Sequence, residues 1–127
     1  YAKICLGKKD ITTIKNDSEK VRIFEGFFDF LSFKKVEEYL EKEPSNYIIL
    51  NSVSMVSKIK SSLENYKNIE LYFDNDEAGN RAVEILKKEL NNADDGRVLY
   101  SEFKDLNDCL IQQTNAVQKQ YKPRFKR

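Results

Sequence analysis

The 127-residue sequence contains no histidine or tryptophan, and only two cysteines, two prolines and four glycines. The absence of histidine excludes Ser-His-Asp and Cys-His hydrolysis, histidine-ligated metals and histidine phosphotransfer within this chain. Cys5 and Cys109 are too few for a disulfide framework or a four-ligand zinc site, and we expect both to be small buried hydrophobes. The remaining chemistry is that of carboxylates, lysines, hydroxyls and the backbone.

Long apolar runs are also missing from the chain. The longest, such as residues 47–50, are far too short to cross a membrane, and no signal-like segment opens the sequence. We therefore expect a cytoplasmic protein that does not associate with membranes. The length predicts one domain, and a start at Tyr1 rather than methionine predicts a domain excised from a longer polypeptide.

The net charge of +1 hides an uneven distribution of bases and acids. Five bases and no acid lie in residues 119–127, so the rest of the chain holds 17 bases against 21 acids, a net charge of −4. The basic end, which also contains Tyr121 and Phe125, is suited to a phosphate backbone or to a solvated linker. Both interpretations stay open for this segment, residues 113–127.

Apolar runs alternate with helical periodicity, which predicts an α/β fold with a mostly parallel four-stranded sheet between helices. The predicted strands are 21–24, 47–50, 70–73 and 97–100, and the predicted helices follow Gly26, Ser54, Asp76 and Asp105, the last ending near Ile111. Residues 1–19 are predicted to add two antiparallel strands, 2–6 and 11–15, at the sheet edge. The main domain then spans residues 20–112.

The first predicted helix and the strand before it are rich in apolar side chains. Its spacing predicts that Glu37 faces solvent and that four side chains face the core, Leu31, Phe33, Val36 and Leu40. Five phenylalanines in ten residues are interpreted mostly as core, with base stacking as the minor alternative: Phe24, Phe27, Phe28, Phe30 and Phe33.

Acidic residues follow three of the predicted strands. They are Glu25, with Asp29 one helical turn later, then Asp74 and Asp76, then Asp105 and Asp108. Ligands of open parallel sheets gather at the carboxyl ends of the strands. If the first and third strands are neighbours, Glu25 and Asp74 lie within reach of one ion.

Crowded carboxylates repel one another, and a divalent cation relieves that repulsion. An all-oxygen site selects Mg²⁺ or Mn²⁺, which suits phosphate chemistry, with a free carboxylate such as Glu25 as general acid or base. The alternative for Asp29, Asp76 and Asp105 is helix capping without a catalytic role. Gly26 and Gly79 are either turn or close-packing residues or points where a phosphate approaches the backbone.

Three segments resemble the signatures of the Toprim domain, in the order and spacing of its bacterial-primase-like branch. They are Glu-Gly-Phe-Phe-Asp-Phe-Leu-Ser at 25–32, Tyr-Phe-Asp-Asn-Asp-Glu-Ala-Gly at 72–79 and Lys-Asp-Leu-Asn-Asp at 104–108. The resemblance covers about residues 20–112 and implies the Rossmann-like Toprim fold. Residues 7–11 also look like primase-like proteins encoded by mobile elements.

The resemblance implies a role for each motif residue. Glu25 is the general acid/base, Asp74 and Asp76 bind metal, and Asp29, Asp105 and Asp108 are further acidic partners. Lys104 matches a motif lysine near the phosphates, and we add Gly26, Gly79 and Arg81 as candidate phosphate or nucleic-acid contacts.

The implied activity is Mg²⁺-dependent nucleotidyl transfer by a DNA primase, a DNA-directed RNA polymerase, with other domains of the full-length protein required. Its substrates are single-stranded DNA template and nucleoside triphosphates, and a helicase or other replication proteins are the implied partners. A Toprim-type nuclease and a non-catalytic nucleic-acid-binding module are the alternatives. A phosphorelay receiver domain fits less well, because it expects its acidic pair after the first strand.

Overall fold

A computed structural model describes the backbone of residues 3–6 and 11–125 and the side chains of residues 11–117. One sheet of six strands forms the centre of the fold. The strands are β1 Lys3–Leu6, β2 Thr12–Lys15, β3 Lys20–Phe24, β4 Asn46–Ile49, β5 Asn68–Tyr72 and β6 Ala93–Asp95.

The strands lie in the order β1-β2-β4-β3-β5-β6. β3 pairs in parallel with β4 and β5, and β5 pairs in parallel with β6. β1 pairs with β2, and β2 with β4, in antiparallel orientation. The predicted α/β class is therefore confirmed, with four parallel strands and two antiparallel strands at one edge. The turn predicted at residues 7–10 lies outside the described residues.

Helices cover both faces of the sheet, and each face has its own apolar core. The helices are α1 Phe27–Tyr39, α2 Val56–Leu63, α3 Glu77–Glu89 and α4 Leu106–Phe125. Alternation along β3 sends Val21 and Ile23 into the core under α2 and α3, and Phe24 into the core under α1 and α4. Cys109 is buried in the second core, as expected, whereas the side chain of Cys5 lies outside the described residues. No helix within the described ranges is long and apolar enough to cross a membrane.

The fourth parallel strand lies earlier in the chain than predicted. β6 comprises Ala93–Asp95, and residues 96–100 form a 3-10 helix instead of the predicted strand. The Asp95 side chain accepts a hydrogen bond from the Arg97 amide and so starts the helical turn. Of the apolar run 98–100 only Tyr100 is buried, and Val98 is 82% exposed. The prediction was wrong because hydrophobicity alone marked an exposed turn as a strand.

The last helix is longer than predicted. α4 extends to Phe125, so its predicted end near Ile111 is wrong. Residues 112–122 contain neither glycine nor proline and several good helix formers, which permits the extension. The backbone of most of the basic segment is therefore helical, and its role remains a prediction, as does the division of the chain at residues 19 and 112.

The buried face of α1 also differs from the prediction. Leu31 and Leu40 are exposed, whereas Glu37 is only 4% exposed. Glu37 pairs with the buried Arg22 of β3 at 2.9 Å and with Lys34 at 2.7 Å. It also accepts a hydrogen bond from the Tyr47 hydroxyl. Hydrophobic periodicity misses this arrangement, because a buried charge is tolerated only where partners on other elements compensate it.

The phenylalanine cluster is divided between core and surface. Phe24, Phe30 and Phe33 are buried, as interpreted, but Phe27 and Phe28 are 49% and 70% exposed. Both exposed rings lie in the first turn of α1, directly after Glu25 and Gly26. The core interpretation is therefore correct for three of the five rings.

We predict that acid destabilises the protein through Glu70 of β5, which pairs with the buried Arg22 at 2.9 Å. Burial by itself would raise the pKa of Glu70, but hydrogen bonds from Tyr72, Arg22 and Lys20 lower it to about 2. Because the folded pKa lies below the unfolded one, this stabilisation is complete above the ordinary Glu pKa and is lost as pH falls from about 5 toward 2. Urea unfolding over that range should show Glu70→Gln losing less stability with acid than wild type, by on the order of 2 kcal/mol. Equal acid dependence of the two proteins would contradict the prediction.

Candidate metal centre

The first and third predicted strands are neighbours, as the proposed site requires. In the β3–β5 register Phe24 lies opposite Tyr72, so the two strands end side by side. Glu25 follows β3, and its Oε1 accepts a hydrogen bond from the Asp74 amide at 3.1 Å. The carboxyl edge of the sheet therefore holds Glu25 and Asp74 in direct contact.

Three carboxylates converge at this edge. One oxygen from each of Asp29, Asp74 and Asp105 lies within 4.8 Å of the others. Asp29 is in the first turn of α1, is 7% exposed and accepts a hydrogen bond from the Asn107 amide at 3.0 Å. Asp105 directly precedes α4. We call these three residues the carboxylate cluster.

The cluster is electrostatically strained as long as its members are all charged. Burial, followed by the charges of Glu25, Asp29 and Asp105, raises the pKa of Asp74 to about 7. Burial and the charges of Asp105 and Glu25 raise the pKa of Asp29 to about 6, although the Asn107 amide opposes the change. Burial and the close approach of these carboxylates therefore disfavour their charged forms.

This donor set fits a hard divalent cation. Carboxylate oxygens are the ligands that Mg²⁺ and Mn²⁺ prefer, and no softer ligand belongs to the cluster. A cation there would offset both the burial and the repulsion that raise the pKa values of Asp29 and Asp74. The residues present therefore fit the metal that the sequence predicts.

Two other predicted ligands lie near the cluster but outside it. Asp76 caps α3, with Oδ1 accepting a hydrogen bond from the Gly79 amide at 2.8 Å. The Asp108 amide donates to Asp105 Oδ1 at 2.7 Å, so Asp105 both belongs to the cluster and caps α4. The capping interpretation therefore holds for Asp76 and Asp105, and for Asp105 it coexists with the candidate ligand role.

Glu25 and Lys104 flank the cluster. Burial raises the pKa of Glu25, and the charges of Asp76 and Asp105 add to this, whereas the Asp74 amide and Lys104 oppose it. Lys104 is exposed, which leaves its ammonium accessible to a ligand. Glu25 is therefore a half-buried carboxyl whose pKa is raised above its ordinary value.

The two motif glycines differ in what surrounds them. A Cβ at Gly79 would lie 2.0 Å from the Asp74 carbonyl oxygen, so this glycine allows close packing of α3 against the Asp74 backbone. A Cβ at Gly26 would lie 3.7 Å from Asp29 Oδ2, an ordinary contact, so packing does not require glycine there. Arg81 is exposed on α3.

Sequence reasoning missed several residues that shape the site. The backbone amide of Asn75 donates to the Lys104 carbonyl, and its side-chain Nδ2 donates to the Tyr100 and Phe103 carbonyls. The backbone amide of Asn107 donates to Asp29, and its side-chain Oδ1 accepts a hydrogen bond from the Ser32 hydroxyl. Arg97 pairs with Asp95 and also donates to the Asp74 carbonyl at 3.5 Å. These are long-range contacts of ordinary polar residues, and only the position of the two asparagines inside the motifs could have indicated them.

A family model described as Toprim-like matches residues 22–110. The chain belongs to the Toprim-like family. The matched range contains all three motifs, so the resemblance predicted from them is confirmed. A search of curated proteins found no relative of this Toprim domain.

Solved structures share the fold of this Toprim domain. The primase fragment of the bacteriophage T7 primase-helicase protein matches with a TM-score of 0.60 and 18% identity, over 82% of this chain and 53% of that chain. A structure of the T7 lagging-strand DNA polymerase interacting with primase domains bound to an RNA/DNA hybrid and dTTP matches with a TM-score of 0.59 and 26% identity, over 80% of this chain and 52% of that one. The chain spans about half the length of these T7 chains.

Proposed function

We propose that this chain is the metal-dependent catalytic domain of a primase-like protein that carries out nucleotidyl transfer. The substrates in this proposal are nucleoside triphosphates and a single-stranded DNA template. The observation that carries it is the convergence of Asp29, Asp74 and Asp105 beside Glu25 in a Toprim-like chain. The T7 structure with primase domains bound to an RNA/DNA hybrid and dTTP supports this substrate class.

The carboxylate cluster is the proposed holder of Mg²⁺ or Mn²⁺, with Asp76 and Asp108 as further acidic partners. A bound divalent cation supplies charge neutralisation on phosphate and lowers the pKa of a coordinated hydroxyl. The side chains themselves hold the edge negative and half-buried, which draws a cation to the end of β5. Asn107 fixes the orientation of Asp29 by donating to its Oδ1.

Glu25 is the proposed general base and acid. It lies beside Asp74 without belonging to the cluster, and burial shifts its pKa toward the range in which a carboxylate exchanges protons efficiently. In primer synthesis it accepts the proton of the attacking 3′-hydroxyl. Lys104, Gly26 and Arg81 are proposed phosphate or nucleic-acid contacts, since Lys104 and Arg81 are exposed bases and Gly26 leaves space at its Cα.

The full-length protein is the proposed acting unit. The aligned part of this chain covers about half of each T7 chain, so template and nucleotide contacts from other domains are part of the proposal. A helicase or other replication proteins are proposed partners, in the cytoplasm, where template and nucleotides are present. The mobile-element origin suggested by residues 7–11 remains a prediction.

Calorimetric titration with Mn²⁺ tests the metal centre directly. We expect wild type to bind Mn²⁺ and Asp74→Asn to bind it more than about 100-fold more weakly, since even partners outside the ligand set contribute about 10–100-fold. The pKa of Asp74 is raised, so the metal-free fold disfavours its charge and the variant should fold at least as stably as wild type.

Asp94→Asn is the matched control for this titration. Asp94 is an exposed aspartate of β6 that is not a member of the cluster, so its variant should bind Mn²⁺ like wild type. If both variants lost Mn²⁺ affinity equally, the loss would reflect the change in net charge rather than a specific metal site. No Mn²⁺ binding by wild type would overturn the catalytic proposal and leave a nucleic-acid-binding module.

A further inference from the structure

Two members of the carboxylate cluster, Asp74 and Asp105, lie in loops rather than in a helix or strand. Asp74 lies between β5 and α3, and Asp105 lies between the 3-10 helix at residues 96–100 and α4. One oxygen of each of these two carboxylates lies within 4.8 Å of the other, so their like charges repel when both are ionised. Some attraction between the loops must therefore oppose their separation.

Asn75 donates three hydrogen bonds that oppose this separation. Its amide donates to the Lys104 carbonyl at 2.6 Å, which joins the residue after Asp74 to the residue before Asp105. Its Nδ2 donates to the Tyr100 carbonyl at 3.0 Å and to the Phe103 carbonyl at 2.7 Å. All three bonds run from the loop after β5 to residues 100–104, the segment that precedes Asp105, and Asn75 is the donor in each.

Tyr100 adds a bond in the opposite direction. Its buried hydroxyl donates to the Phe73 carbonyl at 2.6 Å, one residue before Asp74. The residues on both sides of Asp74 are thus bonded to the segment that ends at Asp105. Hydrogen bonds of this kind orient metal ligands and raise metal affinity by fixing them before the ion arrives.

We infer that Asn75 is a positioning residue of the metal centre. It holds Asp74 close to Asp105 through its bonds to the segment that precedes Asp105. The inference rests on the proposed function, because it assigns Asn75 a role in binding the proposed cation. Asn75 does not contact the ion itself in this role. Both Nδ2 hydrogens of Asn75 are donated to carbonyls of the segment before Asp105, which fixes the side chain.

The test compares Mn²⁺ affinity in two asparagine variants. Asn75→Ala should bind Mn²⁺ about 10–100-fold more weakly than wild type, the range found for groups that orient metal ligands. Asn92→Ala is the matched control, because Asn92 Nδ2 also donates to two carbonyls, those of Tyr66 and Lys67, away from the carboxylate cluster. Thermal unfolding should show a similar loss of stability in both variants, with the loss of Mn²⁺ affinity confined to Asn75→Ala.

The outcomes separate this inference from the proposed function. If wild type binds Mn²⁺ and Asn75→Ala binds it equally well, the positioning role is overturned and the proposed function stands. If wild type binds no Mn²⁺, both are overturned. If Asn75→Ala does not fold, Asn75→Ser provides the same comparison, because serine also removes both Nδ2 bonds and keeps a polar side chain. Unchanged Mn²⁺ affinity in Asn75→Ser would then contradict the inference, and weakened affinity would support it.

Discussion

Glu25→Gln in the full-length protein should lower the rate of nucleotidyl transfer by about 10²–10⁴-fold, the contribution of a positioned general acid or base. Glutamine keeps the size of the side chain and an oxygen that can accept the Asp74 amide bond, so the backbone at the site should stay in place. It cannot accept a proton at that oxygen near neutral pH. The loss should therefore appear in kcat, measured with single-stranded template and nucleoside triphosphates at saturating Mg²⁺.

The same variant separates the base from the ligands. Because Glu25 is not a member of the carboxylate cluster, Glu25→Gln should bind Mn²⁺ nearly as wild type does, whereas Asp74→Asn should not. Glu84→Gln, an exposed position on α3, is the control and should retain the full rate. Rates of Glu25→Gln equal to wild type would contradict the role of Glu25. Loss of Mn²⁺ binding in Glu25→Gln would instead reassign Glu25 as a ligand.

Gly79→Ala should destabilise the fold by about 3 kcal/mol or more, at the upper end of overpacking effects. Helix propensity alone predicts the opposite sign, since alanine is favoured over glycine inside a helix by about 1 kcal/mol. The new Cβ would lie 2.0 Å from the Asp74 carbonyl oxygen and 3.0 Å from its carbon. These are backbone atoms of the loop after β5, and they cannot move aside as a flexible side chain does. The steric term therefore exceeds the propensity term.

Urea unfolding with a matched glycine variant measures this effect. Gly26→Ala places a Cβ at an ordinary 3.7 Å from Asp29 Oδ2. Its free energy of unfolding should therefore change by no more than about 1 kcal/mol, because a weaker helix cap is partly offset by a less flexible unfolded chain. The denaturation midpoint should fall clearly for Gly79→Ala only. A Gly79→Ala protein as stable as wild type would show that α3 does not approach the Asp74 backbone this closely.

Local patterns predicted much of the fold, and they failed where distant residues decide burial. The strand at residues 21–24 and the burial of Phe24 agree with the prediction, because a short apolar run is a local property of the sequence. Glu37 was placed in solvent, although Arg22, fifteen positions earlier in the chain, makes its burial possible. The run at residues 98–100 was interpreted as a strand, but Asp95 starts a 3-10 helix there and the paired strand lies at Ala93–Asp95.

The sequence by itself determined the chemistry available to this protein. Without histidine it is restricted to carboxylates and hard cations, and three ordered motifs identify the Toprim-like family and the residues that matter. The tertiary structure decided which of those residues meet. It brings Asp29, Asp74 and Asp105 together, uses Asp76 as a helix cap and bonds Asn75 to the segment before Asp105. The physical reason is distance along the chain: the bond that orients Asp29 comes from Asn107, 78 positions away, and only the folded sheet brings the two into contact.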